Sequence, residues 1–324
     1  MSKVMLKVDV REGLSYIGLR SGGFMRLTIA EKTAFENQGY LLVEGALTDH
    51  DIYPVINEYI GYIDARAKEL YRDKKISSLF EDQPFERRLA YICREFGDIY
   101  GEMDIMYFRG RECFNFLGNE NLIDLVEGLV GPEITCSPIQ HIRPKLPEGV
   151  TPTGADAHIV PWHQDAGVTW EEADPHFILT VWLPLAESTL ENGCLEIMPC
   201  VHGDGLWEHS SKPGVGTSIA DKLMPEAEPV LLPMKKGDVL LMHKEIPHRS
   251  GRNHSDDIRW SMDLRYQATG TPTGRPFHPE FVVRSATKPE SVLTDYDVWC
   301  QKWKEALKES IESGVRAHRW EADR

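Results

Sequence analysis

The sequence predicts a mostly β fold, a sandwich or closed barrel such as a jelly roll, buttressed by N-terminal and C-terminal helices. Three observations carry this. Apolar residues recur at helical spacing through much of the first 130 residues. After Gly131-Pro132 the chain changes to short β-rich runs punctuated by Pro and Gly. Helical spacing returns near the C-terminal end. Many short strands separated by regular turn signals are the pattern of sandwiches and barrels.

Taken in order, residues 1–25 read as an arm with some strand character, ending in Ser21-Gly22-Gly23. Thr28 can cap a short helix, with Glu31 completing a capping box. Tyr40-Leu41-Leu42-Val43 reads as a strand. From Asp49 to Lys74, Ile52, Val55, Ile56, Tyr59, Ile60 and Ile63 fall at helical spacing. Residues 84–98 and 119–130 are further helices. Strands are expected at 133–143, 157–163, 177–184, 194–198, 228–232, 238–243 and 258–267. Pro144, Pro147, Pro199, Pro213, Pro233 and Gly237 punctuate them. The segment 294–312 reads as a closing helix capped by Thr294. A length of 324 residues allows two domains at roughly 150 residues each. The pattern reads instead as one domain over 1–324: helical support over 1–130, a barrel core over 131–270, and a C-terminal extension and helix over 271–324.

Hydrophobic residues make up 41% and charged residues 27%, which fits a globular chain and argues against disorder. Thirty-six basic against 51 acidic residues give a net charge of −15. Such a chain is poorly suited to neutralise phosphate backbones, so no nucleic-acid partner is expected. An anionic small molecule is excluded only weakly, because a local basic pocket can oppose the net field. No run of 18 apolar residues occurs, so no membrane span is expected. Neither a secretory signal nor a peroxisomal tripeptide is read at the ends. The six cysteines are thinly spread, which fits reduced thiols in a cytoplasm. Asn253-His254-Ser255 matches a glycosylation site but has no secretory context. Cys194, Cys200, His202 and His209 lack paired zinc spacing. No phosphate loop or dinucleotide fingerprint is present.

The chemistry concentrates in Val160-Pro161-Trp162-His163-Gln164-Asp165. Positions i and i+2 of a strand share a face, so His163 and Asp165 can reach one metal ion while Gln164 turns away. His248, far downstream, supplies a third ligand. Two histidines and one carboxylate with open positions form the facial triad of non-haem Fe(II) oxygenases. A bare His-x-Asp is common and is usually a surface pair. Here it lies at a strand edge in a β stretch, a distant His follows another strand, and Arg259 comes eleven residues after that His. A hairpin across Ser250–Asp257 would return Arg259 to the metal. His243 is the rival distal ligand, but it lacks the following Ser-Gly.

These residues resemble the phytanoyl-CoA dioxygenase family of Fe(II)- and 2-oxoglutarate-dependent oxygenases, well over residues 130–270 and loosely before that. The resemblance implies a double-stranded β-helix of the jelly-roll or cupin-like kind. It implies that His163, Asp165 and His248 bind Fe(II), that Arg259 grips the far carboxylate of 2-oxoglutarate with help from Ser250, and that Trp182 lies near this cosubstrate. Gln140 falls where the family often places a polar cosubstrate or substrate contact; otherwise it is a satisfied interior amide. Asn192-Gly193-Cys194-Leu195 with Pro199 and His202 matches a family stretch, except that Cys200-Val201 replaces Gly-Ser, which bears on turn shape.

Alternation sets Arg259, Ser261, Asp263 and Arg265 on one face of the last strand, and Trp260, Met262, Leu264 and Tyr266 on the other. Asp263 and Arg265 either contact substrate or pair with each other. His158, Trp162 and Trp170 either wall the pocket or pack. The expected activity is oxidation, usually hydroxylation, of a small organic molecule by O2, with 2-oxoglutarate going to succinate and CO2. Asp165 fills the position that halogenating relatives leave to chloride, so no halogenation is expected. The alternatives are a non-catalytic jelly-roll binding protein and a cupin-type enzyme with another divalent metal. Substrate identity and oligomeric state are open.

Overall fold

The computed structural model describes residues 26–150, 159–212, 216–224, 228–314 and 319–320. The expected N-terminal arm, the first residues of the 157–163 strand and His158 lie outside them. The helices are α1 (Ile29–Gln38), α2 (Asp49–Arg72), α3 (Phe85–Glu95), α4 (Ile105–Phe108), α5 (Arg111–Leu117), α6 (Glu120–Val130) and α7 (Tyr296–Ser313). The strands are β1 (Tyr40–Val43), β2 (Glu133–Cys136), β3 (His141–Lys145), β4 (Val160–His163), β5 (Ile178–Pro184), β6 (Leu195–Ile197), β7 (His209–Lys212), β8 (Gly216–Ile219), β9 (Val230–Leu232), β10 (Val239–His243), β11 (His248–Ser250), β12 (Arg259–Ala268) and β13 (Phe281–Ser285). Among the described residues no helix is long and apolar enough to cross a membrane.

Local chemistry explains the helix starts. The Thr28 amide donates to Glu31 Oε2 at 2.6 Å, and the Glu31 amide returns a bond to Thr28 Oγ1 at 3.2 Å. This capping box satisfies donors that a helix N-terminus leaves open. Thr48 and Asp51 begin α2 in the same way, with a 2.8 Å bond from the Thr48 amide. Helix α2 buries Ile52, Val55, Ile56, Tyr59, Ile63, Ala67 and Leu70, one stripe at helical spacing. Ile60, counted with that stripe by spacing, is instead 39% exposed. Asp295, not Thr294, caps α7 by accepting from the Asp297 and Val298 amides.

The larger sheet has seven strands in the order β1-β10-β5-β12-β2-β13, with β3 also beside β12. The smaller one is β4-β11-β6-β9, and β7 pairs with β8. All of these pairings are antiparallel. Among the described residues the hydrogen bonds form open sheets and do not close a barrel. The single run expected at 133–143 divides into β2 and β3, because Ser137-Pro138 interrupts it and proline offers no amide hydrogen.

Strand alternation divides the packing into two cores. Leu41 and Val43 of β1, Val181 and Leu183 of β5, Leu241 of β10, and Trp260, Met262, Leu264 and Tyr266 of β12 join the helices in the main core. Tyr40, Leu42, Trp182, Leu240 and Met242 face the other way and pack with Leu195, Ile197 and Leu232 of the smaller sheet. The two sheets therefore share an interior. Trp260, fully buried, ties the helices to β12: it stacks on Phe85 at 4.7 Å and meets Tyr59 edge-on at 5.7 Å. The polar face of β12 is left looking between the sheets.

Candidate active site

Strands β4 and β11 are neighbours, and their register sets His248 directly across from His163. The two imidazole centroids lie 4.2 Å apart. His163 Nδ1 lies 2.9 Å from the Pro161 carbonyl and His248 Nδ1 lies 3.0 Å from that of Ile246. A ring that donates from Nδ1 keeps an unprotonated Nε2 for a metal. The two Nε2 atoms lie 3.8 and 3.9 Å from one oxygen, Oδ1 of Asp165. The ligand atoms of all three residues fall within 4.8 Å of one another. Both the donor types and their orientation fit a single divalent ion.

Asp165 follows the end of β4, and its neighbour Gln164 holds it in place. Fully buried Gln164 donates to the Gly205 and Glu245 carbonyls at 2.9 Å each and accepts from the Trp207 amide at 2.8 Å. With Gln164 pinned on one side, extended backbone returns Asp165 to the side of His163. Asp165 Oδ2 accepts from Thr180 at 2.5 Å and Oδ1 accepts from Arg265. Register explains this pair, since Thr180 of β5 lies across from Arg265 of β12. Burial alone would raise the Asp165 carboxyl. Arg265 above all, then His248, His163 and the Thr180 hydroxyl, hold it well below the usual carboxylate range. Burial, helped by His248, pushes His163 down to about 3, so it is neutral and free to coordinate.

The other end of the cavity is cationic. Arg259 is buried, donates from Nη1 to the Gly193 carbonyl at 3.0 Å and lies 5.1 Å from the centre of the Trp182 ring. Ser250 Oγ lies 3.5 Å from that same carbonyl. Lys145 sits directly across from Arg259 and donates to the Gly251 carbonyl at 2.6 Å. Burial pulls Arg259 down to about 10; burial, and then Arg259, pull Lys145 down to about 6. A buried anion beside Arg259 would reverse both trends.

One cavity of about 220 Å³ is lined by His163, Asp165, His248, Ser250, Arg259 and Trp182 together with Asp263 and Arg265. Gln140 does not line it. It precedes β3 and shares the parity of core residue Ile142, whereas Ile139, His141 and Arg143 face the cavity. Its amide donates to the Ser137 carbonyl at 2.9 Å, on the side away from the cavity. His243 lies beside His202 and Phe177, each 5.3 Å away, and not in the cavity. Trp162 packs under Arg249 at 4.8 Å and Trp170 meets Phe277 edge-on, both off the cavity wall. Asp263 and Arg265 do pair, at 2.6 Å, and Arg265 also bonds Asp165. Sequence reasoning missed Thr180, Arg143 and Arg275. Thr180 was within reach, because it is two positions from Trp182 and so on the same strand face.

The family model described as "Phytanoyl-CoA dioxygenase (PhyH)" matches residues 144–261, a span from β3 to β12 that includes the triad and Arg259. Phytanoyl-CoA dioxygenase domain-containing protein 1 of Danio rerio is 30% identical over 261 residues, covering 72% of this chain and 87% of that protein. Peroxisomal phytanoyl-CoA dioxygenase of Homo sapiens is 25% identical over 251 residues, covering 74% and 68%. Among solved structures, the non-heme monooxygenase ThoJ in its apo form superposes with a TM-score of 0.58 at 15% identity, covering 87% of this chain and 99% of that one. The epimerase SnoN gives 0.51 at 18% identity, covering 76% and 87%. A shared overall fold, a relative aligned over most of its length and a family match spanning the three clustered ligands lead to one conclusion: this chain belongs to the phytanoyl-CoA dioxygenase family.

Proposed function

We propose that the chain is an Fe(II)- and 2-oxoglutarate-dependent dioxygenase that hydroxylates, or otherwise oxidises, a small organic molecule with release of succinate and CO2. In this reading the two sheets are the walls of a double-stranded β-helix, and the compartment is reducing and cytoplasmic. All six cysteines are free thiols, which supports the last point. The observation that carries the proposal is the shared cavity: a two-His, one-carboxylate cluster at one end and the buried Arg259 guanidinium at the other.

His163, Asp165 and His248 would hold the iron on one face and leave positions for O2 and for 2-oxoglutarate. When bound, the iron supplies O2 activation coupled to decarboxylation of 2-oxoglutarate. The protein supplies geometry and charge. Arg259 offers a planar fork for the far carboxylate, which makes two charge-assisted hydrogen bonds where lysine would give only a point charge. Ser250 adds a hydroxyl, and the Trp182 ring walls the same end. Thr180 and Arg265 keep Asp165 ionised and oriented. SnoN was solved with Fe3+ and alpha ketoglutarate, which supports assigning the same pair of ligands here.

The test is succinate formation from 2-oxoglutarate under air, with Fe(II) added or withheld, across candidate substrates. Iron-dependent succinate that disappears in His248→Ala is the expected result. No succinate under any condition would point to a binding protein. Turnover without 2-oxoglutarate, sustained by another divalent metal, would point to a different cupin-type enzyme.

A further inference from the structure

The cavity carries more positive charge than the proposed cosubstrate uses. Among its described lining residues are Arg143, Arg259, Arg265 and Arg275, opposed by Asp165 and Asp263. The ferrous ion and the 2-oxoglutarate dianion would cancel one another. Four guanidinium groups against two carboxylates then leave the pocket positive, in a chain whose net charge is −15. A pocket opposite in sign to the rest of its protein attracts anions.

The contacts show which arginine is available. Asp165 bonds Arg265, Arg265 Nη1 reaches Asp263 Oδ1 at 2.6 Å, and Asp263 Oδ2 lies 3.4 Å from Arg143 Nε. This chain of charges runs from the metal cluster to the cavity mouth. Arg265 lies between two carboxylates and is neutralised by them. Arg143, at the outer end, meets only Asp263 among the described residues, and only through Nε. Its side chain is 45% exposed. The paired Nη groups, which form the bidentate edge of a guanidinium, make no protein hydrogen bond among the described residues.

We propose that Arg143 is the substrate anchor and that the substrate is a small organic acid whose carboxylate it binds. This rests on the oxygenase reading of the site. The carboxylate would sit at the mouth on the free edge of Arg143, and the carbon skeleton would extend inward past Ile139, Val160 and Val168 toward the triad. The cavity of about 220 Å³ must also hold 2-oxoglutarate, so the room left suits only a compact acid.

The test uses protein loaded with Ni(II), which replaces iron without turnover, and saturating 2-oxoglutarate. A panel of small carboxylic acids, each paired with its methyl ester, is measured by thermal shift and calorimetry. Acids should outbind their esters, and Arg143→Gln should weaken the best acid roughly 10- to 100-fold, the loss of a charge-assisted bidentate contact. Ester affinity should be unchanged in that variant, and Ni(II) and 2-oxoglutarate should still bind. The anchor is overturned if no acid outbinds its ester, or if Arg143→Gln binds the best acid as wild type does. Failure of the wild type to bind Ni(II) or 2-oxoglutarate would overturn the oxygenase reading and the anchor with it.

Discussion

Thr180 touches the candidate ligand carboxylate from a strand that the His-x-Asp motif does not contain. Its hydroxyl and Arg265 occupy separate oxygens of Asp165. Partners of this kind fix a ligand's orientation, and removing one typically costs about 10- to 100-fold in metal affinity. Thr180→Val, nearly isosteric, is therefore expected to weaken divalent metal binding by about tenfold, read by anaerobic titration with Fe(II) or Co(II). Wild-type affinity in that variant would show that the hydroxyl does not orient Asp165. At this scale the site was legible wherever the strand period of two applied. His163, Asp165, Arg259 and Arg265 all point where alternation sent them. Gln140 was read as lying on the strand, but it precedes β3 and its parity belongs to the core face.

At the scale of elements, the departure at Cys200 has a structural consequence. Cys200 lies in the left-handed region, with φ at 66°, where the family stretch has glycine. That conformation costs an L-residue roughly 1–2 kcal/mol. Cys200→Gly should stabilise the fold by about 1 kcal/mol in urea unfolding, after the extra freedom of an unfolded glycine is subtracted. A destabilised variant would show that the thiol packs usefully. The opposite change belongs at Gly193, whose φ is 78° and where a Cβ would lie 2.7 Å from the Gly251 carbonyl oxygen. Gly193→Ala should cost about 1–3 kcal/mol. It should also weaken 2-oxoglutarate binding, since the Gly193 carbonyl holds Arg259. Calorimetry of the metal-loaded variant checks this, and wild-type affinity would contradict it. Long helices with capping boxes were readable from sequence. The pieces between 97 and 117 were not, because turns this short carry too few apolar repeats to show a period. Strand β11 was missed as a strand for the same reason: three residues between Pro247 and Gly251 give no alternation to count.

Across the whole molecule, the pairing of two sheets was not readable from sequence, since it depends on which distant strands meet. The charge imbalance was readable, but not the concentration of arginine inside the fold. Partly buried histidines add a global property. Burial pushes His163 down to about 3 and His243 and His278 to about 4 each. Their unfolded values lie near 6.5. Between pH 6.5 and 4 the unfolded chain therefore binds more protons than the fold does, so stability falls as pH drops, by up to about 1.4 kcal/mol per pH unit for each imidazole. Above pH 6.5 the imidazoles add nothing further, and the shallower fall from Lys145, pulled down by burial to about 6, remains. Urea unfolding of the metal-free protein from pH 7.5 to 5 should show that break, and a level profile would contradict the neutral burial of these rings.

In the proposed function one metal ion and one 2-oxoglutarate bind side by side, held by separate residues. Sequential anaerobic calorimetry tests it most directly, with Fe(II) first and 2-oxoglutarate second, on wild type, His248→Ala and Arg259→Leu. Wild type should bind one ion per chain and then one 2-oxoglutarate. His248→Ala should lose both steps. Arg259→Leu should keep the first and lose the second by hundreds-fold, on the order of the 3–5 kcal/mol that breaking a buried charge pair costs. Tight 2-oxoglutarate binding without metal, or unchanged binding in Arg259→Leu, would contradict the account.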